Sequence, residues 1–214
     1  MAHIILLGDS IFDNANYVAD GLPIIEQVRQ GLVDSGDRAD LLAVDGDSIQ
    51  DIFQQLHRLP PSTTHLFISI GGNDALCYGA ILQNSTPSLP AALQQIATMK
   101  TEFSRNYQQM LRAVLKLGLP TTVCTIYDQC PVLDPALRLL EFTALSMFND
   151  CITRQAVEFG LPLIDLRVVC DEARDYSSLS PIEPSTVGGE KIARCIVQVV
   201  TEHNFSSHRT ICYT

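Results

Sequence analysis

Short unbroken apolar runs alternate along this chain with longer stretches whose apolar residues recur at helical spacing. Residues 3–7 predict a first strand. A helix over about 22–33 follows, with Ile24, Ile25, Val28 and Leu32 on one face. Leu41 to Val44 predicts the second strand, and Ser48 can cap a helix to about residue 57 with Ile49, Phe53 and Leu56 inward. Leu66 to Ile70 predicts the third strand. A long helix over about 89–117 stops before Gly118, and Thr121 to Ile126 predicts the fourth strand. A helix over about 136–159 stops at Gly160, a short fifth strand lies within 161–166, and a last helix covers about 185–203. This alternation implies an α/β fold, a parallel sheet of five strands with helices on both faces.

The 214 residues are 46% hydrophobic and 18% charged, which suits a globular protein with one well-buried core. No Pro/Gly/Ser-rich linker divides them, so a single domain over 1–214 is expected, with 204–214 an irregular polar tail. The net charge of −10 disfavours nucleic acid and anionic membranes as partners. No run approaches the roughly 20 apolar residues of a membrane span. The amino terminus carries no basic leader before a long apolar stretch, and the seven cysteines are odd in number without a CxxC pair. Both features predict a cytoplasmic chain with reduced thiols.

Three loops follow predicted strands and therefore share one edge of the sheet, where ligands of open α/β folds bind. They are Gly8-Asp9-Ser10, Asp45-Gly46-Asp47 and Gly71-Gly72-Asn73-Asp74. Ser10 can act as a nucleophile. Gly46 offers a backbone N–H without a side chain in the way. The Asn73 amide can donate to a developing oxyanion, and losing one such donor costs about 2.7–4 kcal/mol of transition-state stabilisation. Each loop alone is also an ordinary turn sequence; the three in succession are more specific.

In these motifs the chain resembles the SGNH (GDSL-type) hydrolases. The resemblance implies a flavodoxin-like three-layer fold and esterase, lipase, thioesterase or deacetylase chemistry. Its markers are the Ser of a GDS motif, a Gly after the second strand, the Asn of a GxND motif and a His near the carboxyl end. Ser10, Gly46 and Asn73 match the first three. The fourth departs: where the family has Asp-x-x-His-Pro, this chain reads Ser180-Pro181-Ile182-Glu183-Pro184. Glu183 stands in the place of the His, and Ser180 in that of the Asp.

The five histidines offer no evident substitute. His3 and His65 begin strands at the opposite edge, His57 closes a helix, and His203 and His208 lie at the end of the last helix and in the tail. Glu183 is therefore the candidate base, or else only a cap on the last helix. Its reference pKa of about 4.3, against about 6.5 for His, leaves it about 3 kcal/mol weaker unless burial raises it. Asp13, Asn14 and Tyr127 are candidates to line a substrate pocket, although Asp13 can equally brace its own loop. No ligand spacing supports a metal site, and no cofactor is expected.

These observations point to a serine hydrolase for a small-molecule ester or acyl-sugar. The competing reading is a binding protein on the same fold that has lost efficient catalysis. A nucleotide binder is disfavoured, because the first loop lacks a glycine-rich phosphate cradle.

Overall fold

The apolar runs can be short because each strand they form is covered on both faces. The computed structural model describes residues 1–79, 87–128 and 134–214. Its strands are β1 (His3–Gly8), β2 (Arg38–Leu41), β3 (His65–Ser69), β4 (Thr121–Cys124), β5 (Leu163–Ile164) and β6 (Cys212–Tyr213). They form one parallel sheet in the order β2-β1-β3-β4-β5-β6. The helices are α1 (Ile24–Gly31), α2 (Ile52–Leu56), α3 (Gly72–Gly79), α4 (Leu89–Leu115), α5 (Pro135–Phe159), α6 (Leu166–Val169) and α7 (Thr186–Glu202).

Strand periodicity divides the core. Along β1, Ile4 and Leu6 pack with Ile24 and Val28 of α1 and with Ile192 and Ile196 of α7. Ile5 and Leu7 face the other way, onto Phe103 and Tyr107 of α4 and Ile152 of α5. All four β1 side chains are fully buried, and each contributes about 1.5–3 kcal/mol relative to exposure. The strand order reverses at β1, with β2 on one side and β3 on the other. In doubly wound sheets this reversal opens a crevice at the carboxyl ends of the strands.

Four expectations need correcting. The sheet has six strands, because the tail expected to be irregular supplies β6, whose Tyr213 is buried beside β5. The second strand is Arg38–Leu41 rather than Leu41 to Val44, and the later part of that apolar run forms the loop beyond it. The helix after it is only Ile52–Leu56. The Gly-Gly-Asn-Asp sequence, expected as a turn, opens the eight-residue helix α3. The six described cysteines are free thiols; Cys130 lies outside the described residues. Among the described residues no helix is long and apolar enough to cross a membrane.

Candidate active site

β1 ends by delivering Gly8, Asp9 and Ser10 to the crevice. Gly8 has φ +137°, and a Cβ there would stand 1.8 Å from the Ser69 carbonyl oxygen of β3, so only glycine fits. The turn beyond it closes with the Phe12 and Asp13 N–H groups on the Asp9 carbonyl at 3.1 and 3.0 Å. The Ile11 N–H donates to Asp9 Oδ1 at 3.1 Å. The Ser10 N–H is outside this set of bonds.

The first three strand-end loops are tied together. Gln55 of α2 is fully buried; it accepts from the Gly8 N–H at 2.8 Å and donates to the Gly8 carbonyl and Asp47 Oδ2, both at 2.7 Å. Asn73 Nδ2 donates to the Asp47 carbonyl at 2.8 Å, and Asp74 Oδ2 accepts from the Ile49 N–H at 3.0 Å. Asp74 belongs to the Gly-Gly-Asn-Asp motif, whereas Gln55 does not stand out in the sequence. Gln55 is a polar residue inside an apolar helical pattern, and its role depends on the backbone it reaches.

The first and third of these loops border a cleft. Ser10, Asn73, Tyr127 and Glu183 line it, with Asp9 and Asp128, and Ile11, Ile70, Leu76, Ile126, Leu145 and Ile182 supply most of its apolar wall. Ser10 Oγ donates to Glu183 Oε1 at 3.3 Å across 173 positions of sequence. Glu183 is only 5% exposed, and its other oxygen, Oε2, is buried with no hydrogen-bond partner. Burial raises its pKa above the usual carboxylate range; the side chains of Ser180 and Ser10 oppose this. Asp9 is pushed up further, to about 7, first by burial, with the nearby Asp74 and Glu183 charges adding to it.

The remaining candidates fall into different roles. Asn14 was expected in the substrate pocket but is fully buried. Its Nδ2 donates to the Pro184 carbonyl at 3.2 Å and its Oδ1 accepts from the Ile24 N–H at 2.9 Å, so it braces the segment that carries Glu183. Asp13 accepts from the Asp45 N–H at 3.0 Å and stands outside the cleft lining, in the loop-bracing role. Tyr127 does line the cleft; its hydroxyl donates to the Ile182 carbonyl and its ring meets Tyr176 edge-on at 4.9 Å. Gly46 has φ +89°, is exposed, and is not among the lining residues. No histidine lines the cleft among the described residues. His203 instead pairs through Nδ1 with the Tyr213 hydroxyl at 3.0 Å. No group of His, Cys, Asp and Glu able to hold a metal occurs among the described residues.

A buried hydroxyl against a carboxylate whose pKa burial raises, with an amide beside an apolar cleft, has the parts for acyl transfer. Solved structures with this architecture are themselves ester hydrolases by name. The extracellular lipase of Streptomyces rimosus matches with a TM-score of 0.68 at 18% identity, over 94% of this chain and 99% of that one. The lipase/acylhydrolase of Enterococcus faecalis matches at 0.65 and 20% identity, over 94% and 95%. Axe2, an acetylxylan esterase of Geobacillus stearothermophilus, matches at 0.65 and 16% identity, over 95% of both chains. A search of curated proteins found no match. At these identities the likeness establishes the fold. The sequence profile of the GDSL-like lipase/acylhydrolase family reaches further, matching residues 6–188 continuously, and on that ground the chain belongs to this family.

Proposed function

We propose that this protein is a serine esterase for small neutral esters or acyl-sugars, with Ser10 as nucleophile and Glu183 as general base. The observation that carries this reading is the Ser10 Oγ to Glu183 Oε1 bond at 3.3 Å inside the cleft. Apo geometry of this kind is commonly looser than in the substrate complex.

In the first step Ser10 Oγ attacks the ester carbonyl and its proton passes to Glu183. The oxyanion is held by the Ser10 N–H and the Asn73 amide, which keeps one N–H beyond its bond to Asp47. A donor from Gly46 would require the 45–47 loop to move toward the cleft. Glu183 then returns the proton to the leaving alcohol, takes one from the water that attacks the acyl-enzyme, and gives it to Ser10 Oγ as the acid departs. A carboxylate base needs no tautomer fixed, so the loss of the orienting Asp at Ser180 is coherent with Glu183. A second carboxylate there would repel the first.

Substrate charge follows from the lining. Asp9, Asp128, Glu141 and Glu183 border the cleft, and neither Lys nor Arg does among the described residues. Anionic esters are therefore disfavoured. The apolar wall suits a short acyl chain.

Covalent labelling with a fluorophosphonate tests the reading. Mass spectrometry should locate the adduct on Ser10, and Glu183→Gln should slow its formation. The absence of a histidine from the cleft favours one competing reading, a carbonyl-binding receptor. A folded protein that binds esters but never labels at Ser10 would establish that alternative.

A further inference from the structure

At the opposite edge of the sheet, far from the cleft, a second serine meets a histidine and an aspartate. His3, the first residue of β1, is 3% exposed. Its Nδ1 lies 3.0 Å from Ser62 Oγ, and its Nε2 lies 2.8 Å from Asp40 Oδ2 of β2. Arg38 pairs with His3 in the β1/β2 register, and its Nη2 reaches both Ser62 Oγ and, at 3.2 Å, His3 Nδ1.

The arginine favours one tautomer of the ring. A guanidinium can only donate, so Nδ1 facing it must carry the lone pair. The ring proton then sits on Nε2 and is donated to the Asp40 carboxylate. Asp40 is in turn held by Arg29, whose Nη2 is 3.1 Å from Oδ1, and its pKa is lowered, first by the His3 bond. The Ser62 hydroxyl therefore donates to a basic nitrogen while accepting from a full positive charge. This is the nucleophile–base–orienter arrangement of activated serines, with the two ring nitrogens exchanged.

The serine is also presented for reaction. Ser62 is exposed, in the loop between α2 and β3. That loop is fixed by the Thr63 N–H on the Pro60 carbonyl at 3.0 Å and by Thr64, whose N–H donates to the His3 carbonyl at 2.9 Å. The donor next to the hydroxyl is a guanidinium, a shape and charge that fit phosphoryl oxygens.

We infer that Ser62 is a second, independent nucleophile, a covalent acceptor site for an activated phosphoryl ester or anhydride. Ser62 Oγ forms the new bond to phosphorus while the bond from phosphorus to the leaving group breaks. The leaving group departs with that electron pair. Arg38 Nη2 leaves His3 Nδ1 for the incoming phosphoryl oxygens, the serine proton moves to the nitrogen so freed, and the resulting imidazolium is held by Asp40. Arg38 and the imidazolium then face the new phosphoryl oxygens.

The test uses the folded full chain carrying Ser10→Ala, so that the cleft contributes nothing, and a fluorophosphonate as the phosphoryl probe. Fragmentation mass spectrometry should place an adduct on Ser62. It should be absent from urea-unfolded protein and from the Ser10→Ala/Ser62→Ala double variant. His3→Gln should slow it roughly 10²-fold, the scale of losing a general base. Because His3 is buried and that variant can fail to fold, Asp40→Asn, at a half-exposed position, is measured beside it and should slow labelling at least about tenfold. Absence of a Ser62 adduct on folded Ser10→Ala protein overturns the inference. So does an adduct whose rate is the same in folded variants lacking His3 or the Asp40 carboxylate, which would make Ser62 an ordinary surface hydroxyl.

Discussion

Asp9 is a buried carboxyl whose replacement should change how stability depends on pH. Its carboxyl is 2% exposed and accepts the Ile11 N–H, with Asp74 and Glu183 adding negative charge nearby. The folded protein raises its pKa from 3.8 to about 7. That displacement corresponds to about 4 kcal/mol against the charged form. The folded state therefore holds this proton over a range where the unfolded chain has released it. Stability from the neutral acid is fully present below about pH 4, declines as pH rises toward 7, and is gone above it. Asp9→Asn keeps the acceptor for the Ile11 N–H and cannot ionise. Relative to wild type it should gain nothing at pH 4 and about 4 kcal/mol at pH 8. For a chain of this length that is roughly 10 °C in Tm. Urea unfolding of both proteins at several pH values measures the gap directly, and any constant cost of the substitution cancels. Two stability curves that stay parallel from pH 4 to 8 would refute the argument.

Three further outcomes are expected. Glu183→Gln should lower hydrolysis of an activated short-chain ester roughly 10²-fold or more; in wild type the rate should rise with pH through a value above the usual carboxylate range, because burial lifts the Glu183 pKa and the base works only when deprotonated. Gln55→Ala removes the partner of both Gly8 backbone groups and should cost about 3 kcal/mol or more by urea unfolding; unchanged stability would show that water replaces the side chain there. Tyr107→Phe removes a fully buried hydroxyl that has no hydrogen-bond partner, and should raise stability by roughly 1 kcal/mol; a clear loss would mean that the hydroxyl is satisfied in solution.

Where the sequence was legible, burial on both faces made it so. The Ile4 to Leu7 run marks β1, and the loop that follows it is placed by strand direction alone. The cleft lining unites Ser10, Asn73 and Glu183, which sit in three distant stretches of sequence, and leaves out Gly46. What escaped has specific causes. β2 is an edge strand whose Arg38 and Asp40 interrupt any apolar run. β6 is two residues long and carries no periodic signal. α3 begins with two glycines, an asparagine and an aspartate, a turn composition that tertiary packing overrides. Asn14 looked like a pocket residue because it follows the nucleophile, but its amide spans the gap between the Ile24 N–H and the Pro184 carbonyl. Such long-range polar pairing leaves no local trace.

The close approach of Gly8 to the Ser69 carbonyl bears on how this catalytic edge can evolve. Position 8 is closed to any side chain, since the obstacle is backbone of a central strand and cannot swing aside. A lineage diverging from this protein must leave the path of β1 into Ser10 untouched. Gly46, by contrast, has open space where a Cβ would go, and its only resistance is a left-handed φ of +89° that asparagine or aspartate tolerates best. Position 46 can vary while Ser10 stays where β1 puts it. A mutational library across this edge would therefore find viable diversity at position 46 and almost none at position 8.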